Sequence, residues 1–154
     1  MDFYNKYRHV GYSYLGVSDA WKPIVKKAVI AIEKEMWPKW IPMFIKRWIH
    51  YMATGNSVVC IKNKFWSKVR DKLTGHMMIT DIKDKYAGLR LYGYFNDKCD
   101  TIVEIAEKEC DKTCEFCGST KNVEIRNDYG WMRNLCSTCN SVLHLQKLKE
   151  CNLP

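Results

Sequence analysis

The sequence predicts an α+β protein: a helical N-terminal body with a β-hairpin, then a C-terminal finger of the treble-clef or zinc-ribbon kind. Three observations predict it. Two Cys-x-x-Cys pairs, Cys114/Cys117 and Cys136/Cys139, are separated by eighteen residues. Apolar residues recur at helical spacing over 21–36, 41–53 and 64–73. Between the last of these and the cysteines, residues 78–95 alternate apolar with polar on either side of Tyr86-Ala87-Gly88, the pattern of a hairpin.

Residues 2–16 are rich in aromatics (Phe3, Tyr4, Tyr7, Tyr12, Tyr14) without a helical period, and Tyr12 to Gly16 allow a short strand. Covering the core is the simpler role for these rings, and base stacking the sharper one. A helix begins after Ser18 or Asp19, either of which can cap it, with Pro23 in its first turn. Its buried stripe is Trp21, Val25, Ala28, Ile32 and Met36, with Lys22, Lys26, Glu33 and Lys34 elsewhere on the cylinder. Pro38 and Pro42 break the chain around Trp40.

A second helix spans about Pro42 to Ala53, closed by Gly55, with Ile41, Phe44, Ile45, Trp48, Ile49 and Met52 as one apolar stripe. Lys46, Arg47 and His50 fall away from it, either as a solvated back or, with Lys39, as an anion-binding face. Val58 to Ile61 reads as a short strand. Asn63 caps a third helix, Lys64 to Leu73, which turns Phe65, Val69 and Leu73 inward and stops at Thr74-Gly75. Lys64, Lys68, Arg70 and Lys72 make it the densest cationic element, suited to phosphates or an acidic protein surface.

In the hairpin, Met78, Thr80 and Ile82 alternate against Ile79, Asp81 and Lys83, and Leu89 and Leu91 against Arg90, Tyr92 and Tyr94. Asp97 or Asp100 can cap a fourth helix, whose apolar face is Ile102, Ile105, Ala106 and Cys110 and which leads directly into Cys114.

The cysteine spacing is that of a closed tetrahedral Zn²⁺ site, because each pair presents two thiolates from one tight turn and the segment between can fold back. Gly118 supplies the positive φ a knuckle turn needs. Asn122 to Arg126 and Trp131 to Leu135 read as strands around Asn127-Asp128-Tyr129-Gly130, and Ser141 to Lys149 as a helix with Val142, Leu145 and Leu148 on one face. One structural zinc ion held by Cys114, Cys117, Cys136 and Cys139 is the expectation, since four thiolates leave no open position for a catalytic water. Disulfides are the competing reading, disfavoured by the spacing and by the lack of a signal-peptide pattern. His144, Cys110 and Cys151 are near enough in sequence to substitute as ligands, though packed or exposed roles suit each better.

The 154 residues are 47% hydrophobic, ample for a core. No apolar run approaches the ~20 residues that span a bilayer, so no membrane role and a cytoplasmic location are expected. The net charge of +8 divides unevenly. Residues 1–98, the basic body, hold 18 Lys and Arg against 8 Asp and Glu, a net of +10, whereas residues 99–154, the linking helix and finger, hold 7 against 9, a net of −2. Phosphate contacts need cations at the contact, so the acidic finger is not the expected nucleic-acid reader.

The stretch Asp84-Lys85-Tyr86-Ala87-Gly88-Leu89-Arg90-Leu91-Tyr92, then Ala106-Glu107, Thr113-Cys114-Glu115-Phe116-Cys117-Gly118 and Trp131 with Leu135-Cys136-Ser137-Thr138-Cys139, resembles a family of small proteins of tailed bacteriophages and prophages. These carry a KEKFGGLRFY-like hairpin and a C-terminal cysteine finger. Ser18-Asp19-Ala20-Trp21-Lys22-Pro23-Ile24 is similar to the opening of their first helix. Ala87 departs from the pattern by replacing a loop glycine, as does the longer aromatic section from Trp37 to Trp66. The resemblance implies a phage origin and a zinc finger, and no particular activity.

Three classes of function follow. A non-enzymatic accessory protein would bind nucleic acid or a nucleoprotein complex through the basic part, with Lys46, Arg47, Lys64, Lys68, Arg70 and Lys72 as contacts. A protein-directed inhibitor or modulator of a host enzyme or antiviral system would present Tyr129, Trp131 and Met132 from the finger. A metal-dependent nuclease needs His and carboxylates around a further metal, but His9, His50, His76 and His144 are scattered and the segment between the cysteine pairs has no His. Binding is the expected mode of action, and the sequence leaves the oligomeric state open.

Overall fold

The structure, a computed structural model of the chain, describes residues 3–11, 15–54, 63–127 and 130–151. It is α+β, as the sequence predicts. In chain order come α1 (Phe3–Lys6), a 3₁₀ turn (Arg8–Val10), β1 (Leu15–Gly16), a second 3₁₀ turn (Asp19–Trp21), α2 (Lys22–Met36), α3 (Met43–Thr54) and α4 (Lys64–Thr74). Then follow β2 (Met78–Lys85), β3 (Gly88–Tyr94), α5 (Asp97–Asp111), β4 (Val123–Arg126), β5 (Arg133–Cys136) and α6 (Ser137–Cys151). The expected strand at Val58 to Ile61 lies outside the described residues, as do Tyr12, Tyr14 and Tyr129.

The predicted stripe of α2 is the centre of the core: Trp21, Val25, Ala28, Ile32 and Met36 are all buried, joined by Ile24 and Val29. Each of the valine, isoleucine and methionine side chains contributes on the order of 1.5–3 kcal/mol of transfer free energy. The helix is entered through the 3₁₀ turn rather than a side-chain cap; Asp19 pairs with Lys22 instead. Of the N-terminal rings, Phe3 and Tyr7 pack against this core.

One side of α2 meets α5, whose buried face is Cys99, Val103, Ala106 and Cys110, while Ile105, expected inside, is exposed. The cap of α5 is Asn96, accepting from the Cys99 amide at 2.9 Å, not Asp97 or Asp100, which fill the first turn where the helix dipole favours them. Thus the linking helix is part of the body's core.

The three-stranded sheet has the order β1-β2-β3, with β1 parallel and β3 antiparallel to β2. Lys85 pairs with Gly88, leaving Tyr86 and Ala87 as a two-residue turn with φ of 53° and 61°. Primed hairpin turns require that pair of positive angles. The expected alternation along β2 fails at one point. A register shift between Ile79 and Asp81 inserts Thr80 as an extra residue, so Ile79 and Ile82 face the core and Thr80 faces out.

The face that α3 buries is also not the expected one. Ile49 and Ala53 go inward with Ile41 just before the helix, but Phe44 and Trp48 stand exposed and Lys46 is buried. Glu33, expected on the polar side of α2, is buried opposite it. Lys46 Nζ donates to Glu33 Oε1 at 2.6 Å, and His9 Nε2 lies 3.4 Å from the same oxygen. Burial pushes the Glu33 carboxyl up, yet the bonds and charges of His9 and Lys46 outweigh it and hold it below the usual range. Two helices thereby share a charge pair that keeps each member out of water only because the other is there.

Candidate metal centre and basic face

The knuckle around the first cysteine pair is built from backbone bonds. The Gly118 amide donates to Cys114 O at 3.0 Å with Gly118 at φ 74°, and the Cys114 amide donates to Ser119 O at 2.8 Å. The Glu115 amide donates to Asn134 O at 2.9 Å, pinning the knuckle against β5. Antiparallel pairing of β4 with β5 places Val123 opposite Cys136, and α6 begins at the next residue with Cys139 in its first turn. Knuckle, hairpin and a second pair at a helix start is the order expected from the sequence.

These turns bring four sulfurs together. The Sγ atoms of Cys114, Cys117, Cys136 and Cys139 all lie within 4.8 Å of one another, and Cys117 Sγ is 3.6 Å from Cys136 Sγ. A tetrahedral ion at about 2.3 Å from each thiolate would set the sulfurs about 3.8 Å apart. A disulfide would need about 2.05 Å, and all four are free thiols. The donor set therefore fits a metal ion enclosed by thiolates, a structural site. Although burial pushes the Cys114 thiol up, backbone amides of Cys117, Cys136 and Phe116 pull it down to about 7. Burial and hydrogen bonds from its neighbours raise that of Cys139, so without a cation the cluster resists holding several negative charges.

The other sulfur and imidazole candidates stay out. Cys110 is buried in the body, its thiol pushed up to about 12 by burial and by Asp111, Glu109 and Glu107. His144 is exposed on α6 and not in the cluster. Leu135, Val123 and Leu143 complete a small separate core around the cysteines. Of the expected packed face of α6, Val142 and Leu145 are exposed because Leu143 occupies that role, and the Leu148 side chain lies outside the described residues.

Two buried bonds seat the finger on the body. Trp21 Nε1 donates to Thr113 O at 2.8 Å, immediately before Cys114, and Asn134 Nδ2 donates to Ala87 O at 2.6 Å in the hairpin turn. Beside the second lies a cleft of about 220 Å³ walled by Asp84, Tyr86, Glu115, Phe116, Trp131 and Arg133. The Arg133 guanidinium lies 5.2 Å from the Phe116 ring centroid, and its Nε lies 3.6 Å from Glu115 Oε1. Burial nonetheless raises the Glu115 carboxyl to about 7. Trp131 is exposed at the rim.

The predicted cationic residues divide. Lys64, Lys68 and Lys72 are exposed along α4, whose start is capped by Asn63 Oδ1 accepting from the Phe65 and Trp66 amides. Arg70 is turned partly inward onto Asp71 at 2.7 Å, and Arg47 is half-buried. Lys46 is not at the surface: the expectation that it contacts a partner is corrected by its burial against Glu33. His50, expected beside it, is half-buried, its imidazole driven down to about 4 by burial and by the charges of Arg70, His9 and Arg8. Sequence reasoning missed the outward aromatics of α3, although apolar residues covering more than half its cylinder were a usable signal. Among the described residues no helix is long and apolar enough to cross a membrane. Compared with protein-family models, curated proteins and solved structures, the chain finds no match.

Proposed function

We propose that this is a non-enzymatic, phage-encoded accessory protein that binds nucleic acid or a nucleoprotein complex in the host cytoplasm through its basic N-terminal part. In this reading one Zn²⁺ is held by Cys114, Cys117, Cys136 and Cys139. Thiolates favour soft ions, and a closed set of four suits zinc in a structural role. The observation that carries the binding function is the row of Lys64, Lys68 and Lys72 at i, i+4 and i+8 on α4, exposed and without an ion pair among the described residues. Such a row offers the counterion release from which nucleic-acid affinity comes. Its test is the salt dependence of oligonucleotide binding by the metal-loaded protein. Affinity should fall steeply from low to moderate salt, and Lys64→Glu/Lys68→Glu/Lys72→Glu should lower the slope of log K against log salt by about 2 to 3. Binding indifferent to salt would refute it.

A second reading, a protein-binding inhibitor or modulator of a host enzyme or defence system, is favoured by exposed Trp131 on the cleft beside Tyr86 and Phe116, residue types that anchor interfaces. A near-stoichiometric, nuclease-resistant host protein copurifying with the chain, and lost with Trp131→Ala, would support it.

A further inference from the structure

On α3, Phe44, Trp48 and Tyr51 recur at i, i+4 and i+7 and stand 71%, 49% and 50% exposed. Trp40, just before the helix, is 78% exposed, and Phe65 on α4 is 64% exposed. Trp66 joins the two helices' rings, its centroid 4.6 Å from that of Trp48 and 5.3 Å from that of Phe65, both edge-on. Four large rings left in water over two packed helices, with Trp40 just before them, form the kind of exposed apolar surface that marks a binding site.

The charges around the rings select the ligand. No Asp or Glu occurs in α3, and the one in α4, Asp71, is held by Arg70 at 2.7 Å. Lys64, Lys68 and Lys72 follow one another at about 6 Å along the axis. The surface therefore suits a ligand that is polyanionic and also offers flat apolar faces. A duplex presents its phosphates but hides the base faces in its own stack. A single strand presents both.

Resting on the reading of the protein as a nucleic-acid binder, we infer that its ligand is single-stranded, with bases stacked on Phe44, Trp48, Tyr51 and Phe65 and phosphates along the α4 lysines. The stacking term tolerates any base, so recognition is by strandedness rather than by sequence.

The experiment compares a labelled oligothymidylate with a mixed-sequence duplex of equal length by fluorescence anisotropy, using the full metal-loaded chain. The single strand should bind at least about tenfold more tightly and quench tryptophan emission. Phe44→Ala and Phe65→Ala, on different helices and at exposed positions, should each weaken single-strand binding about fivefold or more and leave duplex binding within about twofold. Unchanged circular dichroism certifies that both variants fold. Equal affinity for duplex, untouched by either substitution, overturns the inference while the broader nucleic-acid reading stands. Failure to bind either oligonucleotide overturns both. Cosedimentation with phosphatidylserine vesicles in place of oligonucleotide binding would assign the face to a membrane surface and overturn them too.

Discussion

Asn134, buried in the finger's second strand, donates its side-chain amide to the carbonyl of Ala87 over 2.6 Å. That carbonyl belongs to a turn residue at φ 61°, so the backbone conformation of the hairpin sets where the finger is held. Asn134→Ala leaves a buried carbonyl without a partner, which costs about 1–3 kcal/mol. The urea midpoint should fall accordingly with metal content unchanged. A variant as stable as the parent would show that this bond does not seat the finger.

The cysteine centre makes a larger claim on stability. Among the described residues its core holds Leu135, Val123 and Leu143 besides the cysteines, too little apolar surface to fold alone. Structural zinc contributes on the order of 10 kcal/mol to such modules. Chelation, or Cys136→Ser, should remove the ion and abolish amide protection in β4 and β5. Retention of both metal and melting temperature in Cys136→Ser would refute the ligand assignment.

The Glu33–Lys46 pair predicts a non-additive result. Lys46→Met alone leaves the buried carboxylate with His9 as its remaining partner and should cost up to about 3–5 kcal/mol, whereas Glu33→Leu with Lys46→Met should restore part of it, the rest being the buried His9 left without Glu33. Chemical denaturation of the single and double variants checks this, and additive losses would contradict the coupling.

His50 predicts a pH dependence. Its imidazole takes up a proton near 6.5 when unfolded but only near 4 when folded. Between these values the unfolded state binds more protons at this site, so the His50 contribution to stability is full above about pH 6.5 and is lost as pH falls toward 4, whereas the raised Glu115 carboxyl works in the opposite direction between about 7 and 4.5. At about 1.4 kcal/mol per pH unit the loss from this group reaches at most about 3.5 kcal/mol. Glu33, depressed by its partners, adds a separate loss below 4.5. His50→Gln should flatten the first decline and keep the second, as followed by urea unfolding at several pH values.

What the sequence made legible was local. Helical periods placed α2, α4 and α5, the Asn63 cap and Gly75 stop bounded α4, and the cysteine spacing named all four sulfurs of the cluster. What it hid was long-range. Glu33 and Lys46 look like solvated charges until two helices place them 2.6 Å apart, which is why the sequence offers Lys46 as a surface contact and the fold does not. On α3, apolar residues surround so much of the cylinder that periodicity could not say whether Ile49 or Trp48 faces the core. Thr80 escaped because a bulge leaves no mark in an alternating pattern. Asn134 lies in a strand of four residues whose burial depends on a turn 47 positions away.

In the proposed reading labour is divided: the thiolate centre holds the finger in shape while α3 and α4 bind single-stranded nucleic acid. Hydrogen–deuterium exchange of the metal-loaded protein with and without a short oligothymidylate tests it most directly. Protection confined to residues 39–54 and 63–74 is the expected result. Protection over residues 114–136 with none on α3 and α4 would contradict it and move binding to the finger.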